Sequence, residues 1–174
     1  MAPVDAYIGL GSNLADPLSQ LAGAVARLAA LPRTQLVAQS PFYASRPVGP
    51  QDQPDFVNGA VHLRTGLRPL ELLDALQAIE QAHDRVRLQR WGPRTLDLDL
   101  LLYGNQRIHN DRLTVPHIEL ANRDFVLQPL LDLTPELQLP DGQRIADLRR
   151  HCVDNGLRRL HPVPGSLASS GGDD

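Results

Sequence analysis

The spacing of apolar residues divides the chain into strands and helices from its first residues onward. The apolar run at 6–10 ends in a Gly-Ser-Asn turn and predicts a first strand. Asp16 and Pro17 suit the N-cap and first turn of a helix, because the carboxylate can accept from free amides and proline needs no acceptor. Leucine and valine then recur every three or four residues, which predicts an amphipathic helix that ends at Pro32.

The same pattern predicts further strands, a second long helix and a leucine-rich strand. Strands are predicted at 36–43 and 59–65, the first of them broken by Pro41, which indicates an edge position or a strand end. A helix that opens at a proline is predicted at 69–83. The run at 96–103 is so rich in leucine that it predicts a buried strand. The segment at 107–115 is expected to return as a short hairpin after a Gly-Asn turn.

The predicted order β-α-β-β-α-β is that of a ferredoxin-like fold of the α+β class, with helices packed on an antiparallel sheet. The handedness of the crossovers places both long helices on one face. Extra C-terminal helices are predicted at 123–131 and at 145–160, the second of them interrupted around Asn155 and Gly156. A single domain is expected over 1–161, followed by a polar tail at 162–174 that is predicted to be disordered.

Composition and charge narrow the classes of protein that remain. The chain has 174 residues, enough for one well-packed domain, and its net charge of −3 provides no basic field for nucleic acid or membrane. All 17 Lys+Arg positions are arginine, which excludes a P-loop lysine and a Schiff-base lysine. Cys152 is the one cysteine, so no disulfide framework is expected. Neither a signal sequence nor a membrane-length apolar run occurs, so a cytoplasmic protein is expected.

The densest chemistry lies at 85–102, where arginines and the single tryptophan precede two aspartates. Gly92 and Pro93 interrupt any helix, so the arginines are predicted to lie on a loop. Asp97 and Asp99 then open the leucine-rich strand, in which residues two apart face the same side. Paired carboxylates hold Mg²⁺ and guanidinium groups hold phosphates, so the pattern favours a magnesium–polyphosphate site over surface salt bridges. The basic and aromatic residues of this segment are Arg85, Arg87, Arg90, Trp91 and Arg94.

Other classes of protein fit the pattern less well. A glycosyltransferase would also use an Asp-x-Asp motif, but it would require a larger nucleotide-binding sheet. An RNA-binding ferredoxin-like domain would need aromatic residues and a basic face on its central strands, where this chain has Asp97 and Asp99. A Rossmann domain would need a third glycine where Leu14 stands.

Five sequence blocks resemble the 6-hydroxymethyl-7,8-dihydropterin pyrophosphokinase family, in the order in which that family has them. They are GSNL at 11–14, GPQDQPDFVN at 49–58, RWGPRTLDLD at 90–99, RLTVPH at 112–117 and NRDF at 122–125. The resemblance implies transfer of pyrophosphate from Mg-ATP to the hydroxymethyl group of the reduced pterin, with release of AMP, in folate biosynthesis. The expected partners are therefore ATP and the pterin, without nucleic acid or membrane, and a monomer is expected.

The resemblance also implies the metal and nucleotide side of the site. Two Mg²⁺ ions are implied at Asp97 and Asp99, where they bridge the triphosphate and the acceptor hydroxyl. Arg85 and Arg94 are implied as catalytic groups that hold the phosphates and help to close the site. ATP contacts are implied at Gln77, Glu80, Arg87, Trp91, Arg94, Arg112, Thr114, His117 and Arg123.

For the pterin, the resemblance implies stacking of the flat ring between Phe56 and Phe125. Core packing is the alternative for both phenylalanines, but each falls in a loop-rich block, which favours stacking. Asn58 is implied to bind the polar edge of the ring. Further pterin contacts are implied at Ser45, Val48 and Trp91.

Overall fold

The structure is a computed structural model that describes residues 2–13, 16–45, 55–87, 96–154 and 156–160, with the backbone alone at 84–87. Within these ranges, no helix combines the length and the hydrophobicity that crossing a bilayer requires. The predicted features that lie outside the described residues are the loop that carries Trp91 and Arg94, the position of Val48, the side chains of Arg85 and Arg87, and the tail at 162–174.

Strands and helices alternate along the chain before the helices of the C-terminal part follow. The elements are β1 (Val4–Ser12), α1 (Pro17–Ala29), β2 (Thr34–Gln39), β3 (Tyr43–Ser45), β4 (Phe56–Thr65), α2 (Pro69–Arg87), β5 (Asp97–Tyr103), β6 (Ile108–His109), β7 (Thr114–Val115), a 3-10 turn (Leu120–Asn122), α3 (Asp124–Leu133), α4 (Ile145–Arg150) and β8 (Arg158–Arg159).

Six of the strands form one sheet, and all of its pairs are antiparallel. The long strands β1 and β4 lie side by side at its centre. β5 pairs with the other side of β1, and β2 and β3 share the far side of β4. β8 adds to β3, and β6 and β7 form the predicted hairpin outside this sheet. The predicted α+β, ferredoxin-like fold is confirmed.

Different helices cover the two faces of the sheet. On one face, side chains such as Ile8 and Leu98 pack with the buried residues of α1 and α2, as predicted from the crossover handedness. On the other face, Tyr7 and Leu102 pack with α3, α4 and the 3-10 turn. Alternate residues of a strand face opposite sides, so each central strand contributes to both cores. α1 begins as predicted, since the Asp16 carboxylate accepts from the Ser19 amide at 3.4 Å.

The strand predicted at 36–43 is broken at Pro41 as expected, and its two parts belong to separate strands, β2 and β3. The break lies around Pro41, which has no amide to donate to a neighbouring strand. Just before it, Ser40 exchanges hydrogen bonds with Ala60, and the Ser40 hydroxyl accepts from the Ala60 amide at 2.9 Å. β4 also begins earlier than predicted, at Phe56. The motif residues 56–58 therefore lie on a strand.

The helix predicted at 145–160 is wrong beyond Arg150, where α4 ends. Gly156 has a φ of 72°, which a helix does not allow, and its amide donates to the Asp154 carboxylate at 2.9 Å. The chain then returns to the sheet as β8, where Arg158 forms an ion pair with Asp55 at 3.0 Å. In contrast, the helix predicted at 123–131 is confirmed as α3.

Candidate active site

The candidate site lies on the sheet face that carries α3, at the end where β1 has glycines. Gly11 pairs with Asp97 of β5 on one side and with Asn58 of β4 on the other. Gly9 pairs in the same way with Asp99 and Ala60. Neighbouring strands are about 4.8 Å apart, so the backbones at Asp97 and Asn58 are separated by about 10 Å across the glycine. At Gly9 and Gly11, β1 thus presents only backbone between β5, which carries Asp97 and Asp99, and β4, which carries Asn58.

Asp97 and Asp99 lie on the same face of β5, which is an edge strand of the sheet. Leu98, between them, is 5% exposed and packs in the core of the opposite face. Asp97 is exposed, and the Asp99 side chain is 45% exposed. The strand prediction therefore holds, and it leaves two carboxylates accessible on one side of a buried leucine.

Glu80 supports this strand from the layer of α2. Its carboxylate accepts from the Leu98 amide at 2.8 Å, and its side chain is buried. Because β5 is an edge strand, this carboxylate takes the place of a strand neighbour for that amide. Sequence resemblance implied an ATP contact for Glu80, whereas the contact described here is to the backbone between the two aspartates.

His117 faces the acidic pair from the segment that follows β7. Its Nε2 lies 3.8 Å from an Asp99 carboxylate oxygen, and the Glu119 amide donates to its Nδ1 at 3.1 Å. A ring nitrogen that accepts carries no proton, so in the neutral ring the proton is on Nε2, toward Asp99. The His117 amide also donates to the Leu101 carbonyl at 3.1 Å, which ties this segment to β5.

The residues of the implied nucleotide side meet between α2 and the β6–β7 hairpin. The Arg112 guanidinium donates to the Asp74 carboxylate at 2.7 Å and to the Gln77 side-chain oxygen at 3.2 Å. Thr114 lies opposite His109 in the hairpin, with its hydroxyl 3.3 Å from the ring nitrogen Nδ1. Asp74 was not predicted as part of the site, although its spacing of three residues from Gln77 places both on one face of the helix.

The residues of the implied pterin side begin where β3 and β4 pair. Ser45 lies opposite Phe56, and its hydroxyl donates to the Asn58 side-chain oxygen at 3.3 Å. The Asn58 amide nitrogen lies over Gly11, where an added Cβ would approach it to 2.8 Å. Residues two apart on a strand share a face, so Phe56 and Asn58 are on the same side as Asp97 and Asp99. The two aspartates and these pterin candidates thus share one sheet face.

Phe125 lies in the first turn of α3, the helix that packs on the same sheet face. The Arg123 guanidinium carbon lies 5.7 Å from the centroid of the Phe125 ring, within the range of a cation–π contact. Arg123 is also the N-cap residue of α3 and has extended backbone angles there. One turn of chain therefore brings together an implied nucleotide contact and an implied pterin contact.

Tyr43 and Asp132, which were not predicted to interact, join β3 to α3. The Tyr43 hydroxyl donates to the Asp132 carboxylate, and Tyr43 is 7% exposed. Burial, followed by the hydrogen bond to Asp132, raises the pKa of Tyr43 to about 12. No local pattern predicts this contact, because the two residues lie 89 positions apart.

Comparisons with known proteins identify the relatives of this chain. A family model described as 7,8-dihydro-6-hydroxymethylpterin-pyrophosphokinase (HPPK) matches residues 7–135. The 2-amino-4-hydroxy-6-hydroxymethyldihydropteridine pyrophosphokinase of Pseudomonas aeruginosa is 55% identical over 154 residues, which are 88% of this chain and 95% of that protein. The protein of the same name from Haemophilus influenzae is 51% identical over 159 residues, which are 91% of this chain and 99% of that protein.

Solved structures support the fold. An HPPK-DHPS crystallised with substrates matches with a TM-score of 0.65 and 14% identity, over 84% of this chain and 45% of that chain. The Plasmodium falciparum HPPK-DHPS with pteroate matches with a TM-score of 0.66 and 15% identity, over 85% of this chain and 42% of that one. The chain spans less than half of these longer proteins, and at such low identity the likeness shows the fold alone. From the family model and the two bacterial relatives, the chain belongs to the 7,8-dihydro-6-hydroxymethylpterin-pyrophosphokinase family and is a diphosphotransferase of folate biosynthesis.

Proposed function

We propose that this chain transfers pyrophosphate from Mg-ATP to the hydroxymethyl group of 6-hydroxymethyl-7,8-dihydropterin and releases AMP. The observation that carries the proposal is the row Asp97–Gly11–Asn58 across three neighbouring strands. It brings a carboxylate suited to a metal ion and an amide suited to a heterocycle to the same face, with Gly11 of β1 between them. A phosphate donor and a flat acceptor could meet over that strand.

Asp97 and Asp99 fit a magnesium site by their chemistry. Both present oxygen donors at an accessible edge, and Mg²⁺ usually takes one or two carboxylates and completes its shell with phosphate oxygens and water. Among the described residues, no three or more His, Cys, Asp or Glu side chains form a cluster suited to a metal. Bound Mg²⁺ ions supply charge neutralisation of the phosphates and acidification of the acceptor hydroxyl.

The nucleotide is proposed to lie along α2 and the β6–β7 hairpin. There Arg112 and Gln77 present donors to phosphate or ribose oxygens, and the Nε2 proton of His117 can donate beside the acidic pair. Arg123 adds a second guanidinium from the start of α3. The remaining nucleotide contacts proposed from the family resemblance are Glu80, Arg85, Arg87, Trp91, Arg94 and Thr114.

The pterin is proposed to stack between Phe56 and Phe125. Asn58 would bind its polar edge with the amide that lies over Gly11, while the Ser45 hydroxyl holds the Asn58 oxygen. Val48 and Trp91 complete the proposed pterin contacts. Transfer of a pyrophosphoryl group depends on in-line positioning and charge neutralisation, so no side chain is assigned as an obligatory general base. The acceptor proton leaves to water or to Asp97.

Product analysis tests the proposal directly. The protein is incubated with Mg-ATP, with and without 6-hydroxymethyl-7,8-dihydropterin, and the nucleotide products are separated. We expect AMP that appears only when the pterin is present, together with the pterin diphosphate. ADP in place of AMP would show transfer of a single phosphoryl group and contradict the proposal. Asp147→Asn, which alters an exposed carboxylate of α4, provides a control that should match the wild type.

A further inference from the structure

We propose that Tyr43 and Asp132 are positioning residues that set the spacing between Phe56 and Phe125. This inference rests on the proposed function, in which the two rings enclose the pterin. Neither residue belongs to the sequence blocks that carry the family resemblance. They act through the elements that carry the two rings, β4 and α3.

Tyr43 is fixed to the strand that carries the first ring. β3 has three residues, which pair with the first three residues of β4. Tyr43 lies opposite Asn58, and Ser45 lies opposite Phe56. Any movement of Tyr43 is therefore transmitted to Phe56 and Asn58 through backbone hydrogen bonds of the sheet.

Asp132 is fixed to the helix that carries the second ring. Phe125 lies in the first turn of α3 and Asp132 near its end. With a rise of about 1.5 Å per residue, the seven-residue step between them spans about 10 Å. A rotation of α3 by about 10° at Asp132 would then displace Phe125 by roughly 2 Å, which is enough to lose close stacking on a flat ring.

The hydrogen bond between Tyr43 and Asp132 is suited to hold α3 in place. The Tyr43 side chain is buried, and its acceptor is a carboxylate, so the hydrogen bond is of the stronger, charge-assisted kind. A tyrosine hydroxyl is protonated throughout the physiological pH range, and burial and the bond to Asp132 raise the pKa of Tyr43 further, so it remains a donor. The hydroxyl therefore does not lose its proton under the conditions of the reaction.

The acceptor is itself held from the other side. The Gln128 amide donates to the second oxygen of Asp132 at 3.2 Å, and the Gln128 oxygen accepts from the Arg149 Nε at 3.1 Å. The chain Tyr43–Asp132–Gln128–Arg149 thus connects β3, α3 and α4. Asp132 itself is exposed, and the Gln128 amide orients its carboxylate within α3, so Tyr43 donates to a carboxylate that is already held in place.

Tyr43→Phe tests the inference, with Tyr103→Phe as the matched control. Tyr103 is also buried, and its hydroxyl donates to the Leu67 carbonyl at 2.6 Å at the start of the α2 layer, away from α3. Both variants lose one buried tyrosine hydroxyl. The Michaelis constants for the pterin and for ATP are measured for each variant, together with kcat and the free energy of unfolding.

We expect Tyr43→Phe to raise KM for the pterin by about threefold or more while KM for ATP stays within about twofold, and Tyr103→Phe to leave both unchanged. Asp132→Ala should have the same effect as Tyr43→Phe, and the double variant should be no worse than either single one. Asp132→Asn keeps an acceptor oxygen and should restore most of the wild-type KM. Equal increases in both Michaelis constants, or the same increase in Tyr103→Phe, would overturn the inference.

Phe56→Ala and Phe125→Ala distinguish failure of the inference from failure of the proposed function. If these variants bind the pterin as the wild type does, the proposed pterin site is wrong. If they weaken pterin binding and Tyr43→Phe does not, the site stands and the positioning role is wrong. This comparison needs no turnover, because pterin binding can be monitored by the fluorescence of the pterin in the presence of a non-hydrolysable ATP analogue.

Discussion

The role of an individual residue in the site depends on the residues that lie opposite it as much as on its own chemistry. Gly11 has no left-handed backbone angle that would require glycine, but the Asn58 amide occupies the space where its Cβ would be. Asp97 and Asp99 are accessible because Leu98 turns the other way into the core. A substitution at such a position acts on the neighbouring functional group before it acts on the fold.

Gly11→Ala is expected to impair pterin binding with little loss of stability. The added methyl group would lie 2.8 Å from the Asn58 amide nitrogen, which is the movable end of a side chain and can shift aside. We expect KM for the pterin to rise by about tenfold, because about 1.4 kcal/mol corresponds to one misplaced polar contact. Gly66→Ala, where the added Cβ makes ordinary contacts of 3.6 Å, is the control. Unfolding of Gly11→Ala at a much lower urea concentration would contradict this reasoning.

Asp97→Asn and Asp99→Asn are expected to lower kcat by about a hundredfold or more, since removal of a charge-stabilising group at a transferring phosphate has effects of this size. Mg²⁺ affinity, measured by calorimetry in the presence of an ATP analogue, should fall in both variants. Asp97→Asn also tests the hypothesis that no side chain is an obligatory general base. Normal metal binding with loss of turnover at every pH would show that Asp97 is needed as a base.

Elements of the fold differ in how far local sequence determines them. α1 could be predicted because Asp16, Pro17 and its apolar face all agree, and β5 because its leucines form a run. β8 could not, since two consecutive arginines have no strand pattern of their own. Their conformation comes from pairing with β3, far away in the sequence. The break between β2 and β3 was indicated by Pro41, but the pairing partner of each half was not.

The turn after β5 provides a prediction at this scale. Gly104 has a φ of 55°, and an added Cβ would lie 2.9 Å from the Val4 side chain. Gly104→Ala is expected to lower the free energy of unfolding by about 2 kcal/mol, from backbone strain and from crowding together. Gly142→Ala shares a positive φ of 92° but meets nothing within 4 Å, so about 1 kcal/mol is expected there. Urea titrations compare the two, and equal losses would show that crowding by Val4 has no effect.

Across the whole molecule, contacts between distant parts of the chain complete what the sequence blocks indicate. The blocks predict that Asp97 and Asn58 serve one site, and the sheet places both beside Gly11. They contain no sign of the Tyr43–Asp132 contact or of the Glu80 carboxylate on the Leu98 amide. Such contacts depend on how helices dock on the sheet, which no local pattern encodes. The residues that contact metal or substrate are therefore easier to predict from sequence than the residues that hold them in position.

Stability at alkaline pH is expected to depend on all three tyrosines. Burial raises the pKa of Tyr7, Tyr43 and Tyr103 above the ordinary 10.0, and that of Tyr43 reaches about 12. Because the folded state holds these protons more tightly than the unfolded state, their contribution is complete below pH 10 and is lost as the pH rises toward 12. Urea titrations should show the free energy of unfolding falling over this range. The fall should be shallower in Tyr43→Phe, and an identical slope would contradict the assignment.

The three outer edges of the described sheet have consequences for how copies of the protein meet at high concentration. An unpaired strand edge is a template on which another chain can add a strand and begin to aggregate. Here the edge of β5 has its Leu98 amide occupied by Glu80, and β8 presents two exposed arginines. The register of β2 shifts between Leu36 and Ala38, which interrupts a regular ladder. Each of these edges thus carries its own obstacle to intermolecular β-pairing, so the face with Gly9 and Gly11 can stay accessible without the edges promoting aggregation.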